Sequence, residues 1–288
     1  MVGAERDLVG YGRDRPDPRW PEGARLAVNI AVSVEEGAER GEWPLTDAGA
    51  AGGDVPGRDL AAESMMDYGS RVGFWRVHRL LTERGLPATL SACALALEAN
   101  PLIAPAARSA GWDLMAHGLG FDKHYLMDVD EERAAITAAV ASLTRSWGAP
   151  PEGWYCRYAP SAQTRRLLVE HGLAYDSDAY DDELPYWVAV AGQRHLVIPH
   201  TFSNNDNKYA KGWWSTSEDA FVYLRDAFDV LYAEGGGMLV VSVHPRLTGH
   251  PARAAGLARF LDHVVAHEDV WVTTRAAVAR HWREEHAP

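Results

Sequence analysis

Apolar residues gather in short dense runs, and these alternate with longer stretches of helical spacing along most of the chain. Residues 25–34 (RLAVNIAVSV) are β-branched and almost continuously apolar, as in a strand buried on both faces. Residues 68–84 carry Phe74, Val77, Leu80 and Leu81 at helical spacing, with Gly85 placed to stop the helix. The alternation then predicts a strand over 88–97 (ATLSACALAL), a helix over 101–110, a strand over 113–117 and a helix over 130–147 that ends at Gly148. A strand end at 155–157, a helix over 161–172 and strands over 196–199, 238–244 and 270–273 follow. Strand and helix repeated this often predict an α/β fold, a distorted (β/α) barrel of about seven parallel strands. A Rossmann sheet fits less well, because no GxGxxG follows the first strand.

The 288 residues suit one such barrel, read as a catalytic domain over 25–288 behind an extended, Pro-rich arm over 1–24. Residues 40–63 read as a long loop, and 175–187 and 201–214 as irregular segments rich in acids, amides and aromatics. A formal net charge of −12 argues against nucleic acid or an anionic membrane as partner and favours a small neutral or weakly polar substrate. The start of the chain has no apolar core of signal-peptide length, and no run approaches the ~20 apolar residues of a membrane span, so a cytoplasmic protein is expected. Cys93 and Cys156 are expected to be free thiols.

Polar residues recur just past the predicted strands: Glu35 and Glu36, His117, Arg157, Asp176 and Asp178, and His244. In a β/α barrel such positions share one rim, so residues distant in sequence converge. Glu35 or Glu36 is the candidate general base for water, and only one of them need face the pocket, since neighbours on a strand point to opposite sides. His117 and His244 titrate near neutrality and are candidates for proton transfer to a departing nitrogen. Arg157 and Asp178 are expected to pair and hold a carboxylate in place. Tyr155, Asp178, Trp187, Asn204, Asn205 and Trp213 are the candidate substrate-binding residues; amides suit a polar heterocycle and indoles stack on one.

These segments resemble the polysaccharide deacetylase (NodB-like) superfamily, and within it the branch of metal-independent allantoinases and cyclic imide hydrolases. The resemblance rests on RDLVGYG, WPEGARLAVNIAVSVEEGAE, YGSRVGFWR, HGLGFD, GWYCRYAPSAQTRRLLVEHG, YDSDAYDDELPYW, LRDAFDVLY, VHPRLTGHPAR and ARHW. In the deacetylases an Asp pair supplies a base and a metal ligand, and two histidines a turn apart complete the site. Here Glu35 and Glu36 replace the Asp pair, His117 matches the first histidine, and Phe121, which has no donor, falls at the second. The resemblance implies that Arg157 and Pro160 belong to the third motif, Asp178 and Trp187 to the fourth, and that His244 is the general acid.

It further implies a hydrolase of a non-peptide C–N bond that opens a small cyclic amide or imide of allantoin, hydantoin or succinimide type without a metal, and a homo-oligomer, commonly a tetramer. A zinc site of Glu36, His117 and His124 is the competing reading, and with it a metal-dependent N-deacetylase of an acetylated sugar; a non-catalytic barrel that binds a small ligand is the third. The segment 200–211 (HTFSNNDNKYAK) departs from the allantoinase pattern and points to a different ring. Glu36→Gln is expected to abolish turnover and leave the fold intact.

Overall fold

The structure, a computed structural model, describes residues 6–39 and 57–287. Its centre is β1 (Leu26–Val34), buried along its whole length. Around it lie β2 (Thr89–Ala92), β3 (Asp113–Ala116), β4 (Gly153–Trp154), β5 (Tyr175–Asp176), β6 (Tyr186–Val190), β7 (Gln193–Val197), β8 (Gly237–Val243) and β9 (Val270–Val272). The order is β6-β7-β5-β4-β3-β2-β1-β8, with every pair parallel except β6 and β7. Because β8 already occupies one edge of Leu26–Val28, β9, which pairs with the same three residues, must take the other edge, below β2.

The sheet is thus the expected α/β type, mostly parallel and curled into a half-barrel, with nine strands instead of about seven. Among the described residues no strand closes the sheet between β6 and β8, and a bridge from Asn205 to Ser242 reaches into the gap. Alternation along β1 sorts the two faces. Leu26, Val28, Ile30, Val32 and Val34 join the cluster packed under the helices, whereas Ala27 packs inside the curl, and the same parity carries Asn29 and Ser33 to that side.

The helices are α1 (Leu60–Tyr68), α2 (Phe74–Thr82), α3 (Ala94–Ala99), α4 (Ile103–Ser109), α5 (Val129–Trp147), α6 (Thr164–Glu170), α7 (Asn207–Ala210), α8 (Ser217–Glu234), α9 (Pro245–Thr248), α10 (Pro251–Val265) and α11 (Arg275–Glu285); most cover the outside, whereas α11 packs Val278, Ala279 and Trp282 against Ala27 inside the curl. A capping box of Asp128 and Glu131 starts α5, and Gly148 at φ 88° stops it, as its sequence predicts.

Three expectations need correction. Residues 88–97 are a strand only to Ala92, since ALALEA is strong helix-forming sequence and opens α3. Of the loop expected over 40–63, residues 40–56 lie outside the described residues, and the remainder enters α1, whose first N–H groups are capped by Asp59. The irregular 175–187 segment contains β5 and runs into an unforeseen hairpin, β6–β7, turned by Ala191 (φ 49°) and Gly192 (φ 81°). Positive φ at both turn residues is what a two-residue hairpin needs. Both cysteines are free and buried, and no helix among the described residues is long and apolar enough to cross a membrane.

Candidate active site

The parity that sends Ser33 into the curl sends Glu35 there too, and turns Glu36 toward the helices. Glu35 lines a cleft of about 420 Å³ at the carboxyl ends of the strands, together with His117, Tyr155, Arg157, His200 and His244; Glu36 does not line it. Glu36 instead accepts from the backbone N–H of Glu35 at 3.1 Å, and its other oxygen is buried beside Gly69. Burial lifts its pKa to about 7, against the pull of Arg246.

Glu35 is the hub. Its Oε1 lies 2.9 Å from Arg157 Nε, 3.1 Å from His117 Nε2 and 3.6 Å from His244 Nε2, while Oε2 accepts from Arg246 at 2.6 Å. Burial alone would raise its pKa, but the guanidiniums of Arg157 and Arg246 and the two histidines hold it well below the usual carboxylate range. Glu35 is therefore an ionised acceptor.

Hydrogen-bond logic fixes both histidines. His117 Nδ1 faces the Tyr155 carbonyl at 2.7 Å, so Nδ1 carries a proton and Nε2 is left to face Glu35. Burial lowers the His117 pKa, although Glu35 opposes this, and a proton on Nε2 lies in the 3.1 Å hydrogen bond to Glu35. His244 Nδ1 donates to Asp206 at 2.6 Å. Burial would depress its pKa too, but Asp206 and Glu35 outweigh that, and it ends raised. Asp206 is itself fixed by the His244 N–H at 2.7 Å and the Thr248 hydroxyl at 2.6 Å. His244 thus presents Nε2 beside Glu35 with a raised affinity for a proton.

Of the predicted residues, Glu35, His117, Tyr155, Arg157, Asn205 and His244 meet in this cleft. The expected Arg157–Asp178 pair does not form. Arg157 turns to Glu35, and Asp178 accepts from the Cys156 N–H at 3.0 Å, where burial lifts its pKa to about 7. Asp176 is held by Arg165 and His195. Trp187 donates to the His286 carbonyl and lines a separate cleft against the N-terminal arm, Asn204 lies behind β8, and Trp213 is exposed between Lys208 and Lys211. Arg246, Asp206, His200 and Arg275 are the residues the sequence did not single out.

The zinc reading fails on its donors. Among the described residues no three His, Cys, Asp or Glu side chains are arranged to hold a metal ion. Glu36 faces away, and His124 is buried against Trp154 with Nδ1 3.3 Å from Glu132. Phe121 offers its ring to the Arg157 guanidinium, 4.2 Å above the ring centre. The two guanidiniums already bring to Glu35 the positive charge a divalent cation would supply, so the residues do not fit a metal centre of the deacetylase pattern.

A parallel half-barrel whose strand ends converge on one carboxylate between two histidines defines a hydrolase of carbohydrate esterase family 4 type. The chain belongs to the polysaccharide deacetylase superfamily. It is 35% identical over 98% of its length to a Schizosaccharomyces pombe protein described as a polysaccharide deacetylase, and it covers 98% of that protein. The solved structure of PuuE allantoinase shares 39% identity with full coverage of both chains and a TM-score of 0.94. A Pseudomonas aeruginosa structure described as a polysaccharide deacetylase shares 40% identity, covers 98% of this chain and 99% of its own, and has a TM-score of 0.93. No family profile matches the chain.

Proposed function

We propose that this enzyme opens a small cyclic amide or imide by hydrolysis, using only its own side chains. The observation that carries the reading is the Glu35 carboxylate clamped by two guanidiniums and flanked by His117 and His244, with Phe121 where a metal ligand would stand. The likeness to PuuE allantoinase supports it.

Water held at Glu35 Oε1 attacks the carbonyl carbon, and its proton passes to the Glu35–His117 pair, coming to rest on His117 Nε2. The C–N bond then breaks, and His244 Nε2–H protonates the leaving ring nitrogen. Asp206 holds that imidazole in place and stabilises its charge, while Arg157 and Arg246 keep Glu35 ionised. The product is the ring plus one water; of the two protons lost by the new carboxylic acid and His117, one returns to His244 Nε2 and the other passes to solvent, which restores the starting state.

The test is a mass-spectrometric screen of EDTA-treated enzyme against allantoin, hydantoins, succinimide-type imides and an N-acetylated chito-oligomer. A gain of one water on a cyclic substrate with no metal added is the expected result. Acetate released from the oligomer only after zinc is restored would overturn it in favour of a deacetylase.

A further inference from the structure

Behind the cleft lies a buried guanidinium that the mechanism above does not use. Arg275 opens α11 fully buried inside the curl, where its Nε donates to Asn29 at 3.0 Å and NH1 to Ser177 and to the Ile198 carbonyl. Its NH2 lies 2.7 Å from His200 Nδ1. A guanidinium has no lone pair and can only donate, so Nδ1 of His200 must be the acceptor and the ring proton must sit on Nε2. Burial, then Arg275, His117 and His244, hold the His200 pKa well below its ordinary value, so the ring stays neutral.

His200 is only 5% exposed, and its ring packs against Tyr155 at 4.3 Å. With Nδ1 turned back toward Arg275, Nε2 points away from it, on the side of the cleft that His200 lines. That N–H has no partner. Buried donors are nearly always paired, and one left open in an active cleft is a donor waiting for a ligand.

We propose that His200 is a catalytic residue whose Nε2–H donates to the substrate carbonyl oxygen and stabilises the oxyanion as water adds, with Arg275 as the positioning residue that fixes its tautomer. The inference deepens the proposed amide hydrolysis and rests on that reaction occurring at Glu35. A neutral imidazole donor suits a carbonyl oxygen that gains charge during the reaction, because it does not surrender its proton to the oxyanion.

Two experiments test it. The ¹⁵N spectrum of histidine-labelled wild-type enzyme, with His200 assigned by its loss in a variant, should show a protonated Nε2 and an unprotonated Nδ1 without titration from pH 5 to 9. An Nδ1–H tautomer, or titration near pH 6, overturns the proposal without reference to any substrate. In the second, His200→Asn leaves an acceptor for Arg275 but removes the outer N–H, and His200→Gln returns an N–H near the Nε2 position. His200→Asn should keep the wild-type Tm and KM while kcat falls about a hundredfold, and His200→Gln should recover part of that loss. A kcat within fivefold of wild type for a folded His200→Asn overturns the proposal. Should the wild type open no ring but deacetylate the chito-oligomer, ring opening fails as the function, and the same variant ratio on that substrate decides the role of His200 separately.

Discussion

Glu35 and Glu36 are neighbours with the same side chain, yet strand alternation gives one to the cleft and the other to the wall behind it. Glu35→Gln is therefore expected to lower kcat about a thousandfold, and Glu36→Gln less than tenfold, which moves to Glu35 the loss that the sequence assigned to Glu36. Comparable losses in both variants would refute the division. Glu36 has its own signature in stability. Its folded pKa of about 7 lies above the unfolded value, so as pH rises from about 4.5 to 7 the unfolded chain gives up this proton first and stability falls. The fall is on the order of 3 kcal/mol and levels off above pH 7. Urea unfolding of the wild type should show a pH-dependent loss over that window which Glu36→Gln lacks; parallel curves would mean Glu36 is ionised in the fold. At His244, Asp206→Asn removes the charge that outweighs burial, so the alkaline limb of kcat should move to lower pH. An unmoved limb would remove His244 as the acid. The β1 pattern already held the choice between the two glutamates, because Asn29, Ser33 and Glu35 share one parity. Asp206 and His200 were not legible in the same way. Their roles depend on how the loop after β7 folds back over β8 and over Arg275, and no local spacing encodes that.

Between the residue and the whole molecule, the element that matters most to the site is the short α9, which carries Arg246 onto Glu35. It packs on the π-helical turn Gly69–Gly73 that joins α1 to α2, and the approach is close enough that a Cβ on Gly73 would lie 2.1 Å from the Pro245 carbonyl oxygen. Gly69 meets Glu36 and the Arg246 backbone in the same way. Only glycine permits this contact. Gly73→Ala should cost about 1–3 kcal/mol through overpacking. By pushing Arg246 away from Glu35 it should also raise the Glu35 pKa, so that the acid limb of kcat/KM moves to higher pH. Lost stability with an unshifted acid limb would show that α9 yields without moving Arg246. A helix over 68–84 was readable from its apolar spacing and the Gly85 stop, but its earlier start at Leu60 was hidden by the Gly- and Ala-rich run before it. The π turn was not readable, because its two glycines look like helix breakers until the neighbour they admit is known.

At the scale of the whole molecule, a β/α barrel divides its labour between its ends, with chemistry at the carboxyl ends of the strands and stability at the other. The α/β class was legible because long apolar runs such as β1 and β8 announce strands buried on both faces. Strand number and closure were not, since β4 and β5 are two residues each, too short to leave a period. The end of the N-terminal arm, at Pro18 and Trp20, belongs to the stability end. Trp20 is buried there with its indole N–H on the Gly237 carbonyl at 2.9 Å, where β8 begins, and its ring lies 5.6 Å from Trp271 and 6.0 Å from Trp282. The Pro18 carbonyl reaches His281 on α11 at 2.8 Å, so the arm ties the starts of β8 and β9 to the last helix. Trp20→Ala leaves a cavity among these rings and should cost about 3–5 kcal/mol, which is a fall of roughly 10 °C in Tm for a chain of this size. Because Glu35, His117 and His244 stand at the far ends of their strands, kcat of the folded variant should stay within twofold of wild type. A variant that kept its Tm but lost kcat would mean that the two ends are coupled and that the arm governs the chemistry from across the barrel.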